Sequence, residues 1–186
     1  SREEIASYGL NFQEDLFTKP FIRDWVLDRV FKEHVQEVKS TYLNHIHDDV
    51  YELKPEYDTQ RKIEAAFEGK ETDVNVWIRD GLYAMVDDIL FVRDNKNPEL
   101  FHPRITAQFN FIYESLWDSD KNIFNKIYND YYYRRNNQFW YREAMKKLPQ
   151  LVQATRMLVC AEDLGMVPDC VPWVMDELRI LSLEIQ

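Results

Sequence analysis

The stretch CAEDLGMVPDC, Cys160 to Cys170, carries the side chains of this chain best placed for acid–base chemistry. An apolar run, MLVCA, leads straight into two adjacent acids, Glu162 and Asp163, and Gly165 and Pro168 follow. Side chains alternate along a strand, so Glu162 and Asp163 leave the backbone on opposite sides. They cannot act as acid and base for each other. One can face the mouth of a site while the other makes a structural bond or lies in the loop. On spacing alone the catalytic signal is weak, and a solvated or capping pair is the better explanation of the two acids.

The elements around this pair give it a setting. RMLVCAED reads as a short buried strand, with Cys160 inside it. PDCVPWVMDEL reads as a short helix with Asp169 placed to cap it, and ILSLEIQ as a second strand. That is a β–loop–α–β unit, the building block of parallel sheets and barrels. A carboxyl group just past the C-terminal end of a barrel strand is where catalytic groups sit in a (β/α)8 enzyme.

Upstream, the chain reads as helices. In PFIRDWVLDRVFKEHVQEVKSTYLNHI, Pro20 opens a helix, and Ile22, Trp25, Val26, Val30, Phe31, Val35 and Val38 recur at helical spacing, with a break near Lys32. DDVYELKPEYDT is loop or short strand. Thr59 caps a helix ended by Gly69. Thr72 or Asp73 caps the next, with Gly81 a weak spot inside it. ILFVRD and LFHPRI are extended pieces around the turn NKNPE. Residues 106–117, SDKNIFNKIYNDYYYRRNN and FWYREAMKKLPQLVQAT are helical, and Pro149 kinks or restarts the last.

Composition bounds the rest. The 186 residues, 45% apolar and 15% aromatic, suffice for one domain with a core, or for one domain and part of another. Only four glycines argue against a many-turned all-β fold. A net charge of −10 disfavours nucleic acid and anionic membrane surfaces as partners. No apolar run approaches the ~18 residues of a membrane span. Two cysteines make neither a disulfide scaffold nor a four-thiolate metal site, and are read as free thiols in a reducing cytoplasm. The start at Ser1 and the stop within a strand-like run lead us to expect an excised piece of a longer protein.

Other candidates are weaker. In HIHDD, His45 and His47 share a face only if the segment is extended, and a surface loop explains them without a metal. YNDYYYRRNNQFWY mixes aromatics with Arg134 and Arg135. Such platforms stack sugars or single-stranded nucleic acid. Tyr131 and Tyr132 also fall on apolar stripes, which favours core packing with the arginines paired to acids. There is no nucleophile elbow, phosphate loop or dinucleotide fingerprint.

CAEDLGMVPDCVPWVMDELRILSLEIQ resembles the acid/base segment of the 4-α-glucanotransferases, the amylomaltases and plant disproportionating enzymes. Glu162, Asp163, Leu164, Gly165, Pro168, Glu177 and Leu178 carry the likeness. FTKPFIRDWVLDRVF, LFHPRI and YNDYYYRRNNQFWYREAMKKLP resemble the long insertion of the cytosolic plant-type disproportionating enzymes and their bacterial relatives. The resemblance implies a mainly α chain: a helical insertion-type domain over residues 1–154, then a β–α–β tail over residues 155–186 derived from a (β/α)8 barrel. It makes Glu162 the general acid/base for α-1,4-glucans, with a pKa raised by partial burial, and gives Asp163 a supporting or sugar-contacting role. It places the nucleophile outside this chain, so that the chain alone is expected to be inactive. It calls for no metal or organic cofactor, and the exposed strands suggest a homodimer. The competing expectation is a non-catalytic helical interaction or oligomerisation module.

Overall fold

Local side-chain capping starts three of the helices among the described residues. The computed structural model describes residues 1–162 and 165–183. It falls into two compact units, Ser1–Lys121 and Asn122–Gln186. Ser1 and Glu4 form a capping box on α1 (Arg2–Ser7). Thr59 Oγ1 accepts from the Lys62 amide at 3.3 Å and Thr72 Oγ1 from the Asn75 amide at 3.2 Å, which start α5 (Gln60–Phe67) and α6 (Asp73–Val86) where the sequence places them. Both threonines satisfy amides that a helix leaves without an internal partner.

In the first unit α2 is Glu14–Phe17, β1 is Ile22–Arg23 and α3 is Asp24–Phe31. Pro20 therefore does not open a helix. Ile22 and Arg23 are instead drawn into pairing with Tyr51 and Val50 of β3 (Val50–Leu53). Helix α3 stops at Lys32, whose φ of 49° cannot continue it, and one 3-10 turn leads into α4 (Val35–Tyr42). The helical period suggests that α4 runs on to Ile46, but Leu43–His47 is a strand, β2. Leu43 pairs with Leu53 and His45 with Tyr51 across a tight turn at Asp48, which has a φ of 43°. Pairing with a neighbouring strand overrides the weak local period here. The result is an antiparallel sheet of order β1–β3–β2.

Buried Val26, Leu27, Phe31, Val35, Val38, Ile63, Phe67, Ile78, Leu82 and Met85 give α3 to α6 a shared apolar core. Strands β4 (Phe91–Arg93) and β5 (Phe101–Pro103) pair antiparallel around the turn that the sequence marks. Phe12 stands 5.5 Å from Phe91 and 4.7 Å from Phe101, ring centre to ring centre. Helix α7 (Phe111–Ser115) starts on Asp88, a buried acid whose carboxylate accepts from the Phe111 and Ile112 amides at 2.8 and 2.9 Å.

In the second unit, α8 (Asp118–Asn129), which begins just before the boundary, runs into a π-helical turn, Asp130–Arg134, and then α9 (Asn137–Gln153). The turn is closed by the Arg135 amide on the Asp130 carbonyl at 2.8 Å. Helix α9 passes through Pro149 without restarting. Strand β6 (Cys160–Glu162), helix α10 (Cys170–Leu178) and strand β7 (Leu181–Leu183) complete it. The chain is mainly α. No helix among the described residues is long and apolar enough to cross a membrane.

Gly81 is a contact rather than a weak spot. A Cβ there would lie 2.8 Å from Phe31 Cζ and 2.9 Å from Val30 Cγ1, with Phe31 Cε1 closer still. Gly81→Ala should destabilise the fold, because overpacking costs about 1–3 kcal/mol while the better helix propensity returns at most ~1 kcal/mol. Thermal unfolding will show the sign. Asp88→Ala strands the buried Ile112 amide and the part-buried Phe111 amide and should cost about 1–3 kcal/mol for the buried one. Burial raises the Asp88 carboxyl above its ordinary value, against the pull of those amides. Its contribution is therefore full below the unfolded carboxylate pKa and is lost as pH rises through the folded value. In urea titrations the stability of the parent chain relative to Asp88→Asn should fall as pH rises over that window.

Candidate active site

Glu162 is the last residue of β6, which pairs parallel to β7 in the register Cys160 with Leu181, Ala161 with Ser182 and Glu162 with Leu183. The two strands are joined through α10, so the sequence reading of a β–loop–α–β unit holds. Glu162 leaves the C-terminal end of its strand. Its side chain is exposed. The described residues thus do not enclose it. Asp163 lies outside the described residues.

Strand β6 is not the buried strand that its apolar sequence suggests. Cys160 is exposed, and Met157 and Leu158 before it are 77% and 69% exposed. Leu181 and Leu183 are exposed too. An apolar β–α–β unit becomes core only when further strands and helices cover both faces, and this sheet has two strands. The buried thiol is Cys170, at the start of α10, where desolvation raises its pKa.

What holds α10 is the helical segment before it. The Asp169 amide donates to the Tyr133 carbonyl at 3.1 Å, and the Cys170 amide donates to Asn137 Oδ1 at 3.3 Å. Both acceptors flank the start of α9: Tyr133 from the π-helical turn, Asn137 as its first residue. Asn137 is itself buried. Two of the amides at the start of α10, which a helix cannot satisfy internally, thus find fixed partners. Asp169 occupies the expected cap position, but it has helical backbone angles and makes no side-chain cap. Its carboxylate pairs instead with Arg134 Nε at 3.4 Å. Further along, the Tyr141 hydroxyl donates to Glu177, and that bond holds the phenol above its usual pKa. The Tyr141 and Trp173 rings meet edge to face at 6.5 Å.

The aromatic run before α9 packs rather than presenting open stacking faces. Tyr128 lies 4.6 Å from Tyr132, and Tyr131 lies 4.9 Å from Tyr132, ring centre to ring centre. Arg135 pairs with Asp130 at 3.1 Å. The arginine-to-acid pairing expected from the sequence is present. Sequence reasoning missed Tyr133 and Asn137 as anchors. A main-chain carbonyl has no sequence signal, and a lone Asn in a polar run gives none of the burial that α10 imposes on it.

In the first unit, His45 and His47 lie on β2 with a bulge between them. His45 Nε2 engages the Asp48 carbonyl at 2.8 Å and His47 Nδ1 the Asp48 carboxylate at 3.3 Å. Among the described residues no three His, Cys, Asp or Glu side chains cluster as metal ligands. A groove of about 580 Å³ runs past Leu16, Phe21, Arg23 and Tyr51. Two of the rings that line or border it carry a cation: the Arg23 guanidinium lies 4.6 Å from the Phe21 ring centre, and Lys39 Nζ 4.9 Å from that of Tyr51.

Comparison with known proteins adds the missing context. The family described as 4-alpha-glucanotransferase matches residues 19–186. The chain is 33% identical over 192 aligned positions to 4-alpha-glucanotransferase DPE2 of Oryza sativa subsp. japonica, with all of this chain and 20% of that protein covered. It spans about one fifth of that relative's length. No solved structure matches.

The two thiols should separate in reactivity. A thiol-reactive chromophore should modify one cysteine, Cys160, quickly in the folded chain and Cys170 only on unfolding. Peptide mapping that finds Cys170 labelled first would contradict the placement of α10.

Proposed function

The chain belongs to the 4-alpha-glucanotransferase family, and from that premise we propose that it is the acid/base-bearing portion of an enzyme that transfers α-1,4-glucan segments with retention of configuration. The donors and acceptors are maltose, maltodextrins and glycogen-like glucans. Glu162 protonates the leaving glycosidic oxygen and then deprotonates the incoming sugar hydroxyl. Asp163 contacts or supports the bound sugar. The observation that carries this reading is the position of Glu162, the last residue of a strand in a parallel β–α–β unit. That is where barrel enzymes collect their catalytic groups.

In this reading residues 155–186 belong to a (β/α)8 barrel, and residues 1–154 form a helical insertion that interrupts it. The exposed apolar side chains of β6 and β7 fit a sheet that takes further strands on its open edges. Those strands bring the nucleophilic carboxylate to roughly 5–5.5 Å from Glu162, the separation that a retaining double displacement needs. They also bury the Glu162 carboxyl. The chemistry needs no metal or organic cofactor, and the enzyme works in the cytoplasm. A second reading is favoured by the same open strand edges: the segment is a non-catalytic module that assembles into homodimers through β6 and β7.

Glu162→Gln in the full-length protein tests the first reading. Glucose release from maltotriose should fall by about 10²–10⁴-fold, the usual worth of a general acid/base, while glucan binding persists. Transfer that survives this change would refute the role. The 186-residue chain alone, incubated with maltotriose, should release no glucose. Turnover by it would show that a complete carboxylate pair lies within it.

A further inference from the structure

We propose that Phe109 and Trp117, the aromatic rings that flank α7, are a stacking platform for α-glucan chains on the first unit. The proposal rests on the reading of the parent protein as a glucan-transferring enzyme.

A large aromatic ring left in water forgoes most of what its burial contributes to a fold. Phe109 is 89% exposed and Trp117 82%. Among the described residues neither ring meets another ring or a cation. Other tryptophans of this unit are engaged. Trp25 meets Phe111 edge to face at 5.7 Å and carries the Arg29 guanidinium at 4.9 Å. Trp77 donates its indole N–H to the Val30 carbonyl at 3.0 Å. In the groove past Phe21 and Tyr51 a cation lies over each ring. Phe109 and Trp117 keep open faces.

The backbone beneath them is fixed. Ala107 and Ile112 are fully buried. Asp88 holds the first amides of α7, and the Asn110 side chain donates to the Asp87 and Ile89 carbonyls at 2.9 and 3.1 Å. Phe109 closes a 3-10 turn, Ala107–Phe109, with its amide on the Thr106 carbonyl at 2.9 Å. The Trp117 carbonyl accepts from the Lys121 amide at 3.0 Å. Rings on a backbone already ordered lose little freedom when a ligand settles on them.

The surroundings select the ligand. Gln108, Glu114, Asp118 and Ser119 are all exposed neighbours of the two rings in the chain. The core of a protein–protein interface is depleted of such charges. A pyranose suits the mixture: its C–H face lies on an aromatic ring, and its hydroxyl groups need polar partners at the edge. Nucleic-acid bases also stack on open rings, but two acids beside the rings and a net charge of −10 repel a phosphate backbone. A neutral polymer meets no such repulsion, and an α-glucan is the neutral polymer on which this family acts. Backbone reach places the two residues within about 20 Å of each other. A chain held by one ring therefore meets the second at high effective concentration, and binding tightens with chain length.

The test uses the full-length protein. Hydroxyl-radical oxidation is read at each residue in Glu162→Gln, where the glucan is not consumed. Phe109 and Trp117 should both be oxidised without ligand and both protected by maltoheptaose, with less protection from maltose at the same glucose content. Rings already shielded without ligand are covered by the rest of the polypeptide and overturn the platform, as does oxidation that maltoheptaose leaves unchanged. In the active protein, Trp117→Ala and Phe109→Ala should each raise KM for glycogen at least about 5-fold, the lower end of what one stacked ring is worth. Transfer from maltotriose should stay nearly unchanged. An unaltered KM for glycogen in both variants overturns the platform. Should the variants fail to fold, the oxidation pattern decides alone. The two ideas separate cleanly. A full-length protein that transfers no glucan sinks the enzyme reading, and protection by maltoheptaose still decides the platform. An active protein whose rings maltoheptaose does not protect sinks only the platform.

Discussion

The hydrogen bond from the Cys170 amide to the buried Asn137 side chain, with its neighbour from Asp169 to the Tyr133 carbonyl, ties the β–α–β tail to the helices before it. Its force comes from a general constraint. A helix start leaves several amides without internal partners, and a buried amide must be paired. Helix α10 meets that constraint with groups from the preceding segment instead of its own cap. Asp169, which has the right chemistry and the right sequence position, is released from capping and pairs with Arg134. The tail is thus anchored by chain that the sequence would assign to a different part of the molecule.

The same economy of polar groups organises the first unit. Asp88 plays for α7 the role that Asn137 plays for α10: a buried side chain, distant in sequence, that supplies the helix start. Around it the apolar stripes of α3, α4, α5 and α6 do the bulk of the work, and Gly81 lets Phe31 approach α6 without a side chain between them. Local signals suffice where a threonine can cap. Elsewhere the helices begin wherever a remote acceptor reaches them.

That difference explains how much was legible in the sequence. The caps at Thr59 and Thr72, the break near Lys32, the paired segments around NKNPE and the β–α–β order of the tail all rest on local chemistry, and all are present. Leu43 to Ile46 lies within the stretch of helical period yet is strand, because its pairing comes from Leu53 and Tyr51, residues that a period count cannot weigh. Cys160 is exposed where the apolar run implies burial, because apolar composition says only that a segment wants cover and this two-stranded sheet does not provide it. Glu162 stood out through its neighbours in the motif. Tyr133 and Asn137 did not, since one acts through its backbone and the other is an ordinary polar residue until α10 lies against it.

On the proposed function, a carboxyl group at the open end of a two-stranded sheet gains chemical meaning from what surrounds it in the full-length protein. A crystal structure of the full-length protein with a bound oligosaccharide measures that directly. The account predicts the Glu162 carboxyl in hydrogen-bond reach of a glycosidic oxygen, ~2.6–3.2 Å away, with a second carboxylate about 5–5.5 Å from it across the sugar. A sugar bound far from Glu162, or a cleft in which no other acid approaches it, would contradict the account.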